Sequence, residues 1–264
     1  QRLEGLNTSY LNWGTSTAKP VIISFWVKSN QTGNFPFILA DSGNALDIGK
    51  LYTISSANTW EYKTIAIPAP TSGTFDTDNS ASIQIAWGFG STSAVRTAQG
   101  STWGTSNSAG SSKGMVTGAS TALATVNGAT WQITGVQMEV GTVATDFEHR
   151  SYADELAACQ RYCYAQYGGS GDRLGFGFCG LTTLFNLVVP LPVTMRAAPT
   201  LTSCSAGSVN DNNAAYASTA ITIGDSITNT CVNLKVATSG MTIGRGAQFY
   251  FTSTGSSMIL SAEL

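Results

Sequence analysis

The sequence predicts a mainly β protein: an N-terminal jelly-roll-like antiparallel β-sandwich, a short linking α-helix and a smaller C-terminal β-sandwich. Three observations carry this. Short runs of β-branched and aromatic residues recur along both halves, turn-rich segments separate them, and a single segment shows helical periodicity. Of 264 residues, 30 are Ser, 34 Thr and 28 Gly. Hydroxyl side chains compete with the helix for backbone hydrogen bonds and Gly loses the most entropy on ordering, so such a composition disfavours helices.

Taken in order, residues 21–28 (Val-Ile-Ile-Ser-Phe-Trp-Val-Lys) read as a buried strand closed by a Ser-Asn-Gln-Thr-Gly turn. Further strands are expected over 35–40, 50–54 and 60–67, the last stopped by Pro68-Ala69-Pro70. In 82–89, Ile83, Ile85, Trp87 and Phe89 alternate with Gln84 and Gly88, a half-buried strand with Trp87 turned inward. In 131–140 the apolar parity changes at Gly135, which predicts a bulge there. Residues 91–121 form a Ser/Thr/Gly/Ala connection too poor in aliphatic residues to bury its isolated Trp103. Six short strands at this spacing argue a sandwich of the jelly-roll kind.

A helix is expected over 152–167, with Ser151 as N-cap, Asp154 and Glu155 in the first turn, and Gly168-Gly169 as terminator. Tyr152, Leu156, Cys159, Cys163 and Tyr167 fall at steps of 4, 3, 4 and 4 along it, one apolar stripe. Strands return over 173–181, 183–192, 220–223, 230–236, 247–251 and 258–260, with a polar turn at 209–213 (Val-Asn-Asp-Asn-Asn). The division expected is residues 1–148 as the first sandwich, 149–170 as a linking helix at an oligomer axis, and 171–264 as a distal β domain.

Charged residues are 11% of the chain against a globular norm of about 25%. With a formal net charge of −2 there is no electrostatic footprint for nucleic acid or an anionic membrane. No run of 18 apolar residues predicts a membrane span. The start Gln1-Arg2-Leu3-Glu4-Gly5 reads as cut from a longer polypeptide or as preceded by a disordered part. Five cysteines, all after residue 158, read as free thiols.

Catalytic patterns are sparse. His149, the single imidazole, sits in Asp146-Phe147-Glu148-His149-Arg150, read as a surface elbow with local ion pairs to Arg150. Cys159 and Cys163 lie four apart but lack a four-ligand zinc set. Asp76-Thr77-Asp78-Asn79 offers oxygens for a lone calcium ion or, more simply, an Asx turn. Among Asp41, Asp47, Glu61, Asp76 and Asp78 no carboxylate pair stands out for glycoside hydrolysis. For sugar binding, the aromatics least explained by core periodicity are Trp103, Trp60, Tyr62 and Tyr216, joined by the polar Asn210, Asp211 and Asn213. No cofactor, no metal site and no enzymatic activity are expected.

The run from Ile133-Thr134-Gly135-Val136-Gln137-Met138-Glu139-Val140-Gly141, through Ala144-Thr145-Asp146-Phe147-Glu148-His149-Arg150-Ser151-Tyr152, to Cys159-Gln160-Arg161-Tyr162 resembles tail-fibre and related virion proteins of tailed bacteriophages. Phe25-Trp26-Val27-Lys28-Ser29 and residues 192–200 (Pro-Val-Thr-Met-Arg-Ala-Ala-Pro-Thr) add to that resemblance. Departures are Asp146, where the family often has Pro, and Cys163, where an aromatic is common. The resemblance implies a carbohydrate-binding-like jelly roll, a helix and a distal β domain in a homotrimer. It implies a virion location, assembly in the host cytoplasm, contact with host cell-surface polysaccharide and other virion proteins, and no catalytic residues. The rival expectations are a capsid decoration or head-fibre protein, and a polysaccharide depolymerase with an inter-subunit site.

Overall fold

Period-two alternation of β-branched and aromatic residues gives strands with one face to bury, and the computed structural model pairs them into antiparallel sheets. It describes residues 1–43, 45–89, 102–105, 116–224 and 227–263. The chain divides into two compact units at His149/Arg150. Both are β-sandwiches, so the protein is mainly β.

In the first unit, β1 (Arg2–Glu4), β2 (Val21–Ser29), β3 (Gly33–Asp41), β4 (Leu46–Ile54), β5 (Glu61–Ile67), β6 (Ala81–Trp87), β7 (Gly104–Thr105) and β8 (Trp131–Val140) form two sheets. Their orders are β1-β6-β3-β4-β7 and β5-β2-β8. A one-turn helix α1 (Ala122–Thr125) precedes β8. The core lies between the sheets: Val21, Ile23, Phe25 and Val27 of β2 meet Phe35, Phe37 and Leu39 of β3 and Ile83 and Ile85 of β6. Trp87 packs inward against Phe25 and Phe37. The bulge expected at Gly135 is present: φ is +58° there, and the register of β8 against β2 slips between Ser24 and Trp26. The slip hands the core face from Ile133 to Met138.

In the second unit, α2 (Tyr152–Gln160) leads into β9 (Cys163–Gly168), β10 (Arg173–Leu181), β11 (Leu184–Pro190), β12 (Thr200–Cys204), β13 (Gly207–Asn210), β14 (Ala215–Ala217), β15 (Ala220–Ile223), β16 (Cys231–Ala237), β17 (Gly246–Phe251) and β18 (Ser256–Ser261). A seven-stranded sheet, β14-β13-β17-β10-β11-β16-β15, faces a three-stranded one, β12-β18-β9. Phe185, Leu187, Val209, Leu234, Phe249, Met258 and Leu260 fill the space between.

The helix expected over 152–167 is corrected: it stops at Gln160. Ser151 caps it as expected, its Oγ accepting the Asp154 N–H at 3.2 Å. Beyond Gln160, Tyr162, Cys163, Tyr164 and Tyr167 are weak helix formers and good strand formers. As a strand, β9 pairs with six residues of β18 and drives Tyr164 into the core, a gain that a short helix extension cannot match. The polar turn is also narrower than 209–213, since Val209 and Asn210 belong to β13.

One strand has an unexpected orientation. The register of β10 against β17 slips between Arg173 and Gly175. Past that bulge Gly175, Gly177 and Cys179 face the core, while Phe176 and Phe178 face outward. Leu187 fills the room left over Gly175, where a Cβ would meet its Cδ1 at 2.8 Å. Phe176 stays 70% and Phe178 55% exposed, large values for mid-strand aromatics of a seven-stranded sheet.

Candidate functional site

On the outer face of β5-β2-β8, Trp26 and Tyr62 are register partners with ring centroids 5.4 Å apart at 48°. They are 43% and 44% exposed, so both rings offer a face to a ligand. Gly135 lies beneath this pair, its missing Cβ leaving 3.4 Å to Trp26 Cδ1 and 3.8 Å to the ring of Phe147. Trp60, two residues before Tyr62, is exposed as well. Trp60 and Tyr62 are thus both exposed aromatics. The sequence reading does not single out Trp26, because its strand is buried at seven of its nine positions; its outward direction follows from its place next to the inward Phe25.

Trp103 is corrected from exposed ligand aromatic to packed residue. Its Nε1 donates to the Pro68 carbonyl at 2.7 Å, and its ring meets Trp13 at 5.3 Å and Phe75 at 6.0 Å. Its own connection is poor in aliphatic residues, as read from the sequence, but remote segments supply the wall. The rest of that connection, residues 90–101 and 106–115, lies outside the described residues.

Asp211 is likewise corrected: its carboxylate is a turn organiser, not a free acceptor for sugar hydroxyls. Oδ1 accepts the N–H groups of Asn213 and Ala214, each at 3.0 Å, while Oδ2 takes Tyr216 Oη at 3.4 Å and lies 3.6 Å from Arg245. The Ala214 N–H first, then the Asn213 N–H and the Arg245 guanidinium, hold this carboxyl below the usual carboxylate range. Because the folded state prefers the ionised form, its stabilisation is complete above the unfolded value of about 3.9 and fades as pH falls through the folded one. Asp211→Asn should therefore lower the melting temperature of the second unit at neutral pH and flatten its acid limb, as read by thermal scans between pH 2 and 7. Tyr216 packs on the core rather than presenting a face.

The neighbouring asparagines do reach a cavity. Asn210 Oδ1 accepts the Asn212 N–H at 2.8 Å, and Asn212 takes a left-handed conformation at φ +70°. Asn210 and Asn212 then line a hollow of about 300 Å³ with Phe176, Gly177, Gly246, Ala247 and Gln248. Asn213 is exposed and is not among these residues.

The apolar stripe splits between two elements. Tyr152, Leu156 and Cys159 share one helix face by their 4, 3 spacing, and Cys163 and Tyr167 share the outer face of β9 by period two. All five are exposed, Tyr152 at 82% and Tyr167 at 75%, so the cysteines are not buried by their own chain. Leu156→Asp places a charge on this stripe, so any assembly through it should dissociate, while folding stability should fall by only about 1 kcal/mol because the side chain is already 41% exposed. Sedimentation and thermal scans of the variant check both halves.

The run that carries the family resemblance has a local physical role. Gln137 Oε1 accepts the Glu148 N–H at 2.8 Å, and its Nε2 donates to the Asp146 carbonyl at 3.2 Å. The Glu139 carboxylate accepts the Thr145 N–H at 3.1 Å and the Thr145 hydroxyl; the hydroxyl is the main cause of its lowered pKa. These outward side chains of β8 thus tie down residues 145–148. Arg150 pairs with Glu155 at 3.7 Å between exposed side chains, a contact of little energetic weight, and not with the Asp146/Glu148/Glu139 group as expected. The ring of His149 rests 5.0 Å from Phe147.

The carboxylates considered for hydrolysis have structural partners. Asp41 Oδ1 accepts the Leu46 N–H, Glu61 Oε1 accepts those of Ser55 and Ser56, and Asp78 Oδ1 accepts that of Ser80. Asp76 Oδ2 takes the Ser42 hydroxyl at 3.4 Å, and Asp47 is buried. Among the described residues no three His, Cys, Asp or Glu side chains cluster as a metal site. No described helix is long and apolar enough to cross a membrane.

No family model matches the chain. No curated protein matches it. Among solved structures, recombinant discoidin II of Dictyostelium discoideum aligns over 94% of this chain and 75% of that one, at 11% identity. Its TM-score is 0.19, a likeness that carries no argument about fold or function.

Proposed function

We propose that this chain is a structural protein of a tailed-bacteriophage virion, a tail-fibre module that assembles as a homotrimer and binds a host cell-surface glycan without catalysis. The exposed Trp26–Tyr62 pair carries the reading. Two adjacent rings on a rigid outer sheet face suit the apolar C–H faces of sugar rings, and the sheet fixes them without an entropy cost at binding. The uncovered stripe of Tyr152, Leu156, Cys159, Cys163 and Tyr167 supports assembly, because three copies around an axis would remove it from water. The carboxylates held by backbone N–H groups favour a binder over a depolymerase. The resemblance of residues 133–162 favours a fibre over a capsid decoration protein.

Trp26→Ala with Tyr62→Ala should lower binding to host cells or to an array of bacterial glycans at least about tenfold, each ring contributing on the order of 1 kcal/mol. Unchanged binding in a folded double variant would refute this placement of the binding face.

A further inference from the structure

We propose that the hollow beside Phe176 in the second unit is a separate subsite for a carboxylate-bearing pyranose, as found in acidic polysaccharides. This rests on the glycan-binding reading above and names a second contact and its sugar class.

The geometry of β10 is the starting point. Its bulge turns Phe176 and Phe178 outward, and at Gly177, the residue between them, β11 comes so close that no side chain fits. Those rings are therefore presented from the middle of a sheet, where the backbone is most rigid. At the foot of Phe176 lies the hollow of about 300 Å³, room for one sugar ring and its substituents.

Two amides of the rim, those of Gln248 and Asn210, have their nitrogens uncommitted. Gln248 Oε1 is committed to Arg173 Nε at 2.5 Å, which turns the Gln248 amide nitrogen toward other acceptors. Asn210 Oδ1 is committed to the Asn212 N–H, which leaves the Asn210 amide nitrogen as its polar end. Arg173 is outside the lining and adjoins the hollow through Gln248: its Nε is spent on that amide, which leaves the two terminal nitrogens for a bidentate carboxylate on a ligand that reaches past Gln248. The acidic neighbours are engaged: Asp211 is buried in its turn with Arg245 beside it, and Asp172 accepts the Gly169 N–H at 2.7 Å. A flat ring wall, amide donors and an arginine fork together match a uronic-acid ring lying on Phe176. A neutral sugar leaves the fork unused.

The test compares the wild-type chain, Phe176→Ala and Arg173→Gln on uronic-acid oligosaccharides and on the same oligosaccharides after carboxyl reduction. The expected results are at least about tenfold tighter binding of the acidic set by wild type, at least about tenfold weaker binding of both sets in Phe176→Ala, and in Arg173→Gln an affinity for the acidic set reduced to that of the reduced set. Both side chains are exposed, so thermal scans should show folded variants. Equal affinity for both sets, or Phe176→Ala binding like wild type while Trp26→Ala abolishes binding, would overturn this subsite and leave the proposed function standing. A Phe176→Ala variant that changes oligomeric state would overturn it by showing the face to be a subunit contact. Absence of binding to any glycan by wild type would overturn both.

Discussion

Gly177→Ala should unfold the second sandwich. A Cβ at this position falls inside van der Waals contact of the Asn186 carbonyl oxygen and 2.8 Å from its carbon, both of them backbone atoms of the paired strand β11. Neither can move without tearing the ladder between β10 and β11, so no side-chain rotation relieves the clash. The cost should reach about 4 kcal/mol or more, a large part of the stability of a domain of this size. Because each unit has its own core, calorimetry of the variant should show the first unit's transition retained and the second's lost or shifted far down. A variant that melts like wild type would mean that the two strands approach less closely than described.

Trp103→Ala should destabilise the first sandwich by about 3 kcal/mol, in the range of aromatic truncations in cores. The substitution removes the bond to the Pro68 carbonyl and the edge-on contacts with Trp13 and Phe75, which themselves touch at 5.4 Å. That trio joins segments some 90 residues apart, so the cavity cannot close by local adjustment. Chemical denaturation should show a lowered midpoint with glycan binding intact below it. Stability equal to wild type with weakened glycan binding would return Trp103 to the ligand surface.

The strands of the first unit were legible because alternation there agrees with the faces actually buried, and the phase change at Gly135 marked its bulge. The end of α2 was not legible, since the spacing of Tyr152, Leu156, Cys159, Cys163 and Tyr167 fits a helix throughout. What decides the matter is the pairing of β9 with β18, almost a hundred residues away, which no local pattern contains. The same holds for Trp103, whose partners come from other parts of the chain, and for Asp211, whose side chain the turn consumes. Phe176 and Phe178 were visible as an alternation with glycines, but alternation names two faces without saying which one is buried. The bulge beside Arg173 decides that, and it leaves no residue-type signature.

The central claim is that the exposed stripe on α2 and β9 is where identical chains meet. Sedimentation velocity of the purified chain at micromolar concentration tests it most directly. The account predicts a single species with three times the mass of the chain; a stable monomer, with Tyr152 and Tyr167 left in water, would contradict it.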